Sequence, residues 1–120
     1  MRWTRKGFLY LVHRYANECF AREDPPRVQE LADRLGVSSS TLRRQTQTYC
    51  GVTPSVLLRT LRRRQAQKLL RRTNLSTTTV AYRAAYGSRR TLFRAFRRET
   101  GRSPREHERE NTAAAQPRRD

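Results

Sequence analysis

Two segments of this sequence resemble each other at a constant offset, and this internal repeat restricts the possible folds more than any other feature. LADRLGVSSSTLRRQTQTYCGVTP occupies positions 31–54, and VAYRAAYGSRRTLFRAFRRETGRSP occupies positions 80–104. Fifty residues separate Thr41-Leu42 from Thr91-Leu92, Gly51 from Gly101 and Thr53-Pro54 from Ser103-Pro104, and the second copy has one extra residue in its turn. The sequence therefore predicts one structural unit that occurs twice.

Each copy has the pattern of a short helix, a tight turn and a second helix. In the first copy, Gly36 is placed to end the short helix and Ser38 to cap the next one. In the second copy, the turn falls at 85–87 and Ser88 is the cap. This order is that of a helix-turn-helix. A repeated hairpin used only for packing is the alternative, but packing does not require the arginines in both second helices.

The predicted fold is all-α, with two helix-turn-helix subdomains joined by a long linker helix and about seven helices in total. Helical periodicity, caps and stop signals place these helices at about 4–21, 28–35, 39–50, 54–72, 79–84, 89–100 and 103–109. The predicted divisions are 1–53 for the first helix and first unit, 54–72 for the linker helix, 73–110 for the second unit and 111–120 for a disordered tail.

The distribution of charge indicates a polyanionic partner. The formal net charge is +17, and the stretch from Arg34 to Arg98 holds 16 basic residues and no acidic one. Such a field attracts nucleic acid first and an anionic membrane second. The apolar runs are too short to cross a bilayer, and the two cysteines are expected to be free thiols. We therefore expect double-stranded DNA as the partner, no membrane, and a cytoplasmic, nucleoid-associated protein.

The sequence lacks the patterns that are typical of catalytic and metal sites. Its two histidines, His13 and His107, are far apart, and neither a Cys/His metal spacing nor a glycine loop for phosphate is present. We expect no enzyme activity, no catalytic residue, no metal and no cofactor. The main alternative function is a non-specific, architectural nucleic-acid-binding protein, and a third is a fragment or decayed copy of a larger regulator.

The outward positions at the start of each second helix are candidate base contacts. In a helix-turn-helix, these positions reach base edges in the major groove. They are Ser39, Ser40, Arg43 and Arg44 in the first unit, and Arg89, Arg90, Phe93 and Arg94 in the second. Arginine can bind guanine through two hydrogen bonds, and phenylalanine can contact a thymine methyl. For each arginine the alternative is a solvated or phosphate-facing charge, and for Phe93 it is packing against the neighbouring unit.

A second set of residues is predicted to contact DNA phosphates, largely because helix N-termini offer free N–H groups. The set is Ser38, Thr53, Arg62, Ser88, Arg97 and Ser103. The predicted linker helix of about 19 residues spans roughly 28 Å, while successive major-groove faces lie about 34 Å apart. One monomer would then place both recognition helices in adjacent major-groove segments, with the DNA bending if the spacing falls short.

The residues described above resemble the AraC/XylS family of transcription regulators, especially its free-standing members with two helix-turn-helix units. The resemblance covers about residues 8–107. The first family signature is matched by Ala32, Ser38, Leu42, Arg44, Gly51, Thr53 and Pro54. The linker signature is matched by Arg62, Ala66, Leu69 and Leu70, and the second signature by Ala81, Tyr86, Leu92, Arg94, Phe96, Arg97, Gly101 and Pro104.

The resemblance implies a sequence-specific transcription factor, usually an activator that contacts RNA polymerase beside its DNA site. It also implies base contacts at Ser40, Arg43, Arg44, Arg89, Arg90, Phe93 and Arg94. Most members of the family carry a sensing domain before the DNA-binding part. The sequence holds no such domain, so the resemblance implies no small effector.

Three positions depart from the family pattern. Ala85 stands where the second turn has a glycine, and Thr46 and Thr77 stand at apolar positions. We expect these changes to weaken the small cores. The second unit is accordingly expected to be looser and to contact the DNA backbone more than the bases.

Overall fold

The computed structural model describes residues 3–107, and all of its regular elements in this range are helices. They are α1 (Arg5–Ala21), α2 (Val28–Leu35), α3 (Ser39–Cys50), α4 (Pro54–Arg72), α5 (Thr77–Arg83) and α6 (Arg89–Thr100). A further helical turn occupies 104–107. The predicted all-α fold is confirmed. The predicted tail at 111–120 and the predicted helix end near Arg109 lie outside the described residues.

The helix boundaries agree with the predictions except at α5. The sequence predicted a loop over 73–78 and a helix from Thr79, whereas the helix begins at Thr77. The cause is Ser76, whose hydroxyl accepts a hydrogen bond of 3.1 Å from the Thr79 backbone N–H. Such a side-chain cap satisfies one of the free N–H groups at a helix start. At α1 the first helical residue is Arg5, and Thr4 is its cap.

The chain divides into two compact units that meet within α4, between Arg62 and Arg63. The first half of this helix belongs to the first unit, and the second half belongs to the second. The predicted division, in which the linker helix 54–72 is a part of its own, stays a prediction. Within residues 3–107, none of the helices is both long and apolar enough to cross a membrane.

The core of the first unit is formed mainly by α1, α2 and α3. Its fully buried residues include Phe8, Val12, Tyr15, Cys19, Leu31 and Leu42. The Tyr15 hydroxyl accepts a hydrogen bond of 2.8 Å from the Arg27 backbone N–H and donates one of 2.6 Å to Glu30 Oε1. These bonds attach α1 to the start of α2. Burial raises the pKa of Tyr15.

Thr46, which departs from the apolar family pattern, is fully buried in this core. Its hydroxyl donates a hydrogen bond of 2.8 Å to the Leu42 carbonyl one turn earlier. Threonine in a helix can satisfy its hydroxyl in this way. The polar group therefore has a partner inside the core, and only the apolar contacts of a larger side chain are lost.

The core of the second unit contains many small residues. Its buried members are Ala66, Val80, Ala81, Ala84, Tyr86, Leu92, Ala95 and Phe96, and Leu69, Leu70, Leu75 and Phe93 pack against them. At the other end of α6, an ion pair of 2.7 Å joins Arg63 Nη1 to Glu99 Oε1. Only 21% and 12% of these two side chains are exposed. This ion pair connects α6 to α4 outside the apolar cluster.

The two turns have the same backbone form despite different residues. Gly36 ends α2 with φ +70°, and Ala85 has φ +68°. In both turns the next residue donates its N–H to the carbonyl five positions back, over 3.0 Å from Val37 to Ala32 and 2.7 Å from Tyr86 to Ala81. Ala85 therefore adopts the left-handed conformation that glycine accommodates without a Cβ penalty.

Candidate nucleic-acid interface

The start of α3 is held in a fixed geometry by Ser38. Its hydroxyl accepts a hydrogen bond of 3.1 Å from the Thr41 backbone N–H and donates one of 3.1 Å to the Thr41 hydroxyl. Gly51 ends the helix with φ +73°. Leu42 and Thr46 face the core, and so the other side of the first two turns of α3 faces outward.

All four predicted base contacts of α3 are exposed on that outward side: Ser39, Ser40, Arg43 and Arg44. The Ser39 hydroxyl donates to Gln29 Oε1 over 2.9 Å. Arg44 makes a long contact of 3.4 Å to the Thr41 hydroxyl. Gln29 is exposed and Thr41 is partly exposed, and the contact of Arg44 is long, so Ser39 and Arg44 can leave these partners to meet a ligand at little cost.

The start of α6 repeats this arrangement. The Ser88 hydroxyl accepts a hydrogen bond of 3.1 Å from the Thr91 backbone N–H and lies 2.9 Å from the Thr91 hydroxyl. Arg89, Arg90 and Arg94 are exposed. The serine cap, one outward arginine (Arg44 and Arg94) and the terminal glycine thus occur at equivalent positions of both second helices.

Phe93 differs from the other candidates because it is half buried. It packs against the core of its own unit, and the Arg89 guanidinium lies 4.9 Å from the centre of its ring. A cation above an aromatic face is attracted by the ring. No sequence pattern indicated this pair, since a spacing of four residues along a helix allows contact without requiring it.

The hydroxyl groups of the predicted phosphate contacts already have structural roles. Ser38, Thr53, Ser88 and Ser103 each accept a hydrogen bond from the backbone N–H three residues later. At Ser103 the cap is reciprocal, because Glu106 accepts a hydrogen bond from the Ser103 N–H over 2.9 Å. A phosphate at these helix starts would therefore meet the remaining backbone N–H groups rather than the hydroxyls.

The two arginines of the predicted phosphate set have different surroundings. Arg97 is exposed on α6. Arg62 is half buried and lines a cavity of about 90 Å³ with Pro26, Val28, Ser55, Leu58 and Arg59. Part of the Arg62 side chain therefore serves packing, which the run of arginines on the linker did not reveal.

Four carboxylates of the described residues, Glu18, Asp24, Glu30 and Glu99, pair with arginines that are not among the predicted base contacts of α3 and α6. Glu18 pairs with Arg34, and a hydrogen bond from this guanidinium lowers the pKa of Glu18. Glu99 pairs with Arg63. Within residues 3–107, the five arginines predicted to contact bases form no such ion pair. Their positive charge is therefore left for a polyanion.

The described residues hold no group of three or more His, Cys, Asp or Glu side chains that could bind a metal ion. Cys19 is buried, Cys50 is partly buried, and both are free cysteines. Burial raises the pKa of both thiols.

The comparisons with known proteins agree with this geometry. A family model described as a helix-turn-helix domain matches residues 31–110. The DNA-binding domain of AdpA, a global transcriptional factor solved in complex with a target DNA, is 31% identical with a TM-score of 0.71 over 89% of this chain and 94% of that one. A Chromobacterium violaceum regulator with an AraC-type DNA-binding domain is 25% identical with a TM-score of 0.69 over 94% and 99%.

The chain belongs to the AraC/XylS family. Curated relatives in this family include the HTH-type transcriptional activator RhaS. The protein from Enterobacter sp. (strain 638) is 41% identical and that from Citrobacter koseri 38% identical, each over 78 residues, or 65% of this chain. This AraC/XylS chain spans a segment of 28% of the length of each of these relatives.

Proposed function

We propose that this chain binds duplex DNA in a sequence-specific manner through α3 and α6 and regulates transcription as an activator. The observation that carries the proposal is the repeated, capped second helix, which exposes arginines in both copies and has one of them, Arg44 or Arg94, at the equivalent position. An exposed N-terminal half of such a helix is the part that enters the major groove in helix-turn-helix proteins. The relatives support it, since RhaS is a transcriptional activator and the AdpA domain was solved in complex with a target DNA.

The base contacts that we propose are Ser39, Ser40, Arg43, Arg44, Arg89, Arg90, Phe93 and Arg94. Ser38, Thr53, Ser88 and Ser103 mark the helix starts that meet phosphates, and Arg62 and Arg97 add charge. One chain would bind as a monomer, with its two recognition helices in adjacent major-groove segments, and RNA polymerase would be a second partner. In this account the chain acts in the cytoplasm, associated with the nucleoid.

The first experiment is selection from a random duplex library by the purified chain, with sequencing of the retained DNA at two salt concentrations. The proposal predicts one asymmetric motif with two boxes about one helical turn apart. A single box would contradict base contacts by the second unit. If no motif is enriched and affinity falls steeply with salt, the chain binds DNA through phosphate contacts alone. That result would favour a non-specific architectural protein.

The activator and monomer proposals need separate measurements on the selected duplex. Analytical ultracentrifugation of the complex should give one chain per duplex, and two chains would contradict the monomer. Transcription in vitro, with the motif placed upstream of a promoter, should rise when the chain is added. A fall in transcription would mean that this chain acts as a repressor.

A further inference from the structure

A cavity of about 450 Å³ lies in the second unit beside the start of α6. Its lining includes Leu70, Leu75, Thr77, Arg89, Phe93 and Arg105. Sites for small molecules usually have volumes of about 300–1,000 Å³ and combine apolar walls with a few polar groups. This cavity has that size and that combination.

The lining groups are complementary to an anion that carries an apolar body. Leu70, Leu75 and Phe93 pack against the core of the unit, which holds this apolar wall in place. Arg89 and Arg105 are exposed and both line this cavity, so each guanidinium can reach an anion bound there. Among the described residues, neither Asp nor Glu lines it. A guanidinium can bind a carboxylate through two parallel hydrogen bonds.

We propose that this cavity binds a small organic carboxylate with an apolar body, and that the bound carboxylate withdraws Arg89 and Phe93 from DNA. The second part rests on the proposed function, in which both residues contact bases. The Arg89 guanidinium lies 4.9 Å from the centre of the Phe93 ring. A ligand that holds Arg89 would therefore also cover the ring. DNA and carboxylate would then weaken the binding of each other by the same factor.

The apolar wall distinguishes this ligand from a simple anion such as a DNA phosphate. Inorganic phosphate would gain only the two guanidinium contacts and leave the Leu75 and Phe93 side chains in water. A carboxylate with an aromatic or alkyl body would also remove that apolar surface from water, which is favourable. The apolar body and the negative charge should therefore both be needed for binding.

The first test is titration of 2-naphthoate into the DNA-free chain by isothermal titration calorimetry, with the site located by NMR chemical shifts. We expect one saturable site, with shift changes at Leu75, Thr77 and Phe93. The neutral analogue 2-naphthalenemethanol and inorganic phosphate should each bind at least about 10-fold more weakly, a difference of about 1.4 kcal/mol. Equal affinity for phosphate and naphthoate would overturn the proposal, since the cavity would then be an anion site only.

A matched pair of variants tests the location of the site. Arg105→Gln removes one cavity guanidinium from an exposed position that is outside the proposed DNA contacts, and we expect it to weaken naphthoate binding about 5- to 10-fold. Arg98→Gln removes the same charge from an exposed position of α6 that does not line the cavity, and it should leave the Kd unchanged. Equal losses in the two variants would mean that the net charge attracts the ligand, and would overturn the assigned site.

The last experiment measures whether naphthoate and the selected duplex compete for the chain. With naphthoate at ten times its Kd, the apparent Kd for DNA should rise about 11-fold if the two ligands exclude each other. An unchanged Kd for DNA would overturn the competition. If no duplex motif is selected, the proposed function fails, whereas the DNA-free titration still decides whether the cavity binds a carboxylate.

Discussion

Arg44 and Arg94 occupy equivalent, exposed positions of the two second helices, and each is expected to determine one base of the motif. Replacing either one by Ala should relax one position in its own box and cost about 1–3 kcal/mol against the preferred base. Selection with each variant, followed by binding to single-base variants of the motif, measures the effect. Arg98→Ala is the control, because it should weaken all duplexes slightly and alike. Loss of affinity without any change in base preference would assign Arg44 and Arg94 to phosphates.

The positive φ at Gly36 predicts a cost for any side chain at that position. Gly36→Ala should destabilise the first unit by about 1–2 kcal/mol, because the left-handed conformation brings Cβ close to the following carbonyl. Urea denaturation measures the free energy of unfolding. Ala85→Gly is the matched comparison in the second turn. Its net effect should be smaller, because the relieved strain is offset by the loss of a buried methyl group worth about 0.8 kcal/mol. A neutral Gly36→Ala variant would contradict this explanation of the turn.

The sequence predicted single residues well where one local rule decides them, and less well where packing does. Ser38 and Ser88 could be assigned as caps because a cap depends on the next three residues alone. Arg62 is half buried because of neighbours that are distant in sequence. The contact between Arg89 and Phe93 depends on the direction of the two side chains. Composition shows neither of these, since one arginine in a basic run resembles the next.

The caps of the second helices are expected to matter for both stability and DNA binding. Ser38→Ala should cost about 0.5–2 kcal/mol of stability, because it leaves the Thr41 N–H at the start of α3 without its side-chain partner. Looser DNA binding should follow, since the start of α3 carries the proposed base contacts. Thermal unfolding and duplex titration test the two effects. Thr48→Ala, at an exposed position of the same helix, is the control and should not destabilise. A Ser38→Ala variant as stable as this control would contradict the role of the cap.

The ion pair between α4 and α6 is expected to stabilise the second unit. Glu99→Gln leaves Arg63, whose side chain is only 21% exposed, without its carboxylate partner, and should cost about 1.5–3 kcal/mol. Glu18→Gln, which removes a more exposed pairing with Arg34, should have a smaller effect. Urea denaturation of the two variants compares them. Equal effects would show that burial of the Arg63–Glu99 pair adds nothing.

At the scale of elements, the sequence predicted all the helices but not every boundary. The ends of α2, α3 and α6 agree with the prediction because a glycine follows each helix, and the starts of α3, α4 and α6 agree because a serine cap or a proline marks each one. The predicted start of α5 was wrong by one half turn, since the mostly polar stretch 73–79 offers several possible caps and the structure uses Ser76. The small-residue core of the second unit was expected to be weak, and the structure adds the Arg63–Glu99 pair as a compensating contact.

The molecule as a whole combines a high positive charge with two recognition helices, α3 and α6. These two features affect the affinity for DNA and its salt dependence differently. The charge alone gives affinity for any duplex and a steep dependence on salt. The recognition helices give a preference for one base sequence. This preference persists at higher salt, because base contacts release no counterions. The sequence predicted both the positive charge and the two recognition helices. It did not predict which bases the chain prefers, because that preference depends on how side chains of α3 and α6 meet particular base edges.

The most direct test of the central claim is the ratio of two dissociation constants at physiological salt: that for the selected duplex and that for a scrambled duplex of the same length and composition. If the chain reads sequence through α3 and α6, the scrambled duplex should bind at least about 1,000-fold more weakly. Equal dissociation constants for the two duplexes, both rising steeply with salt, would contradict sequence-specific recognition by this chain.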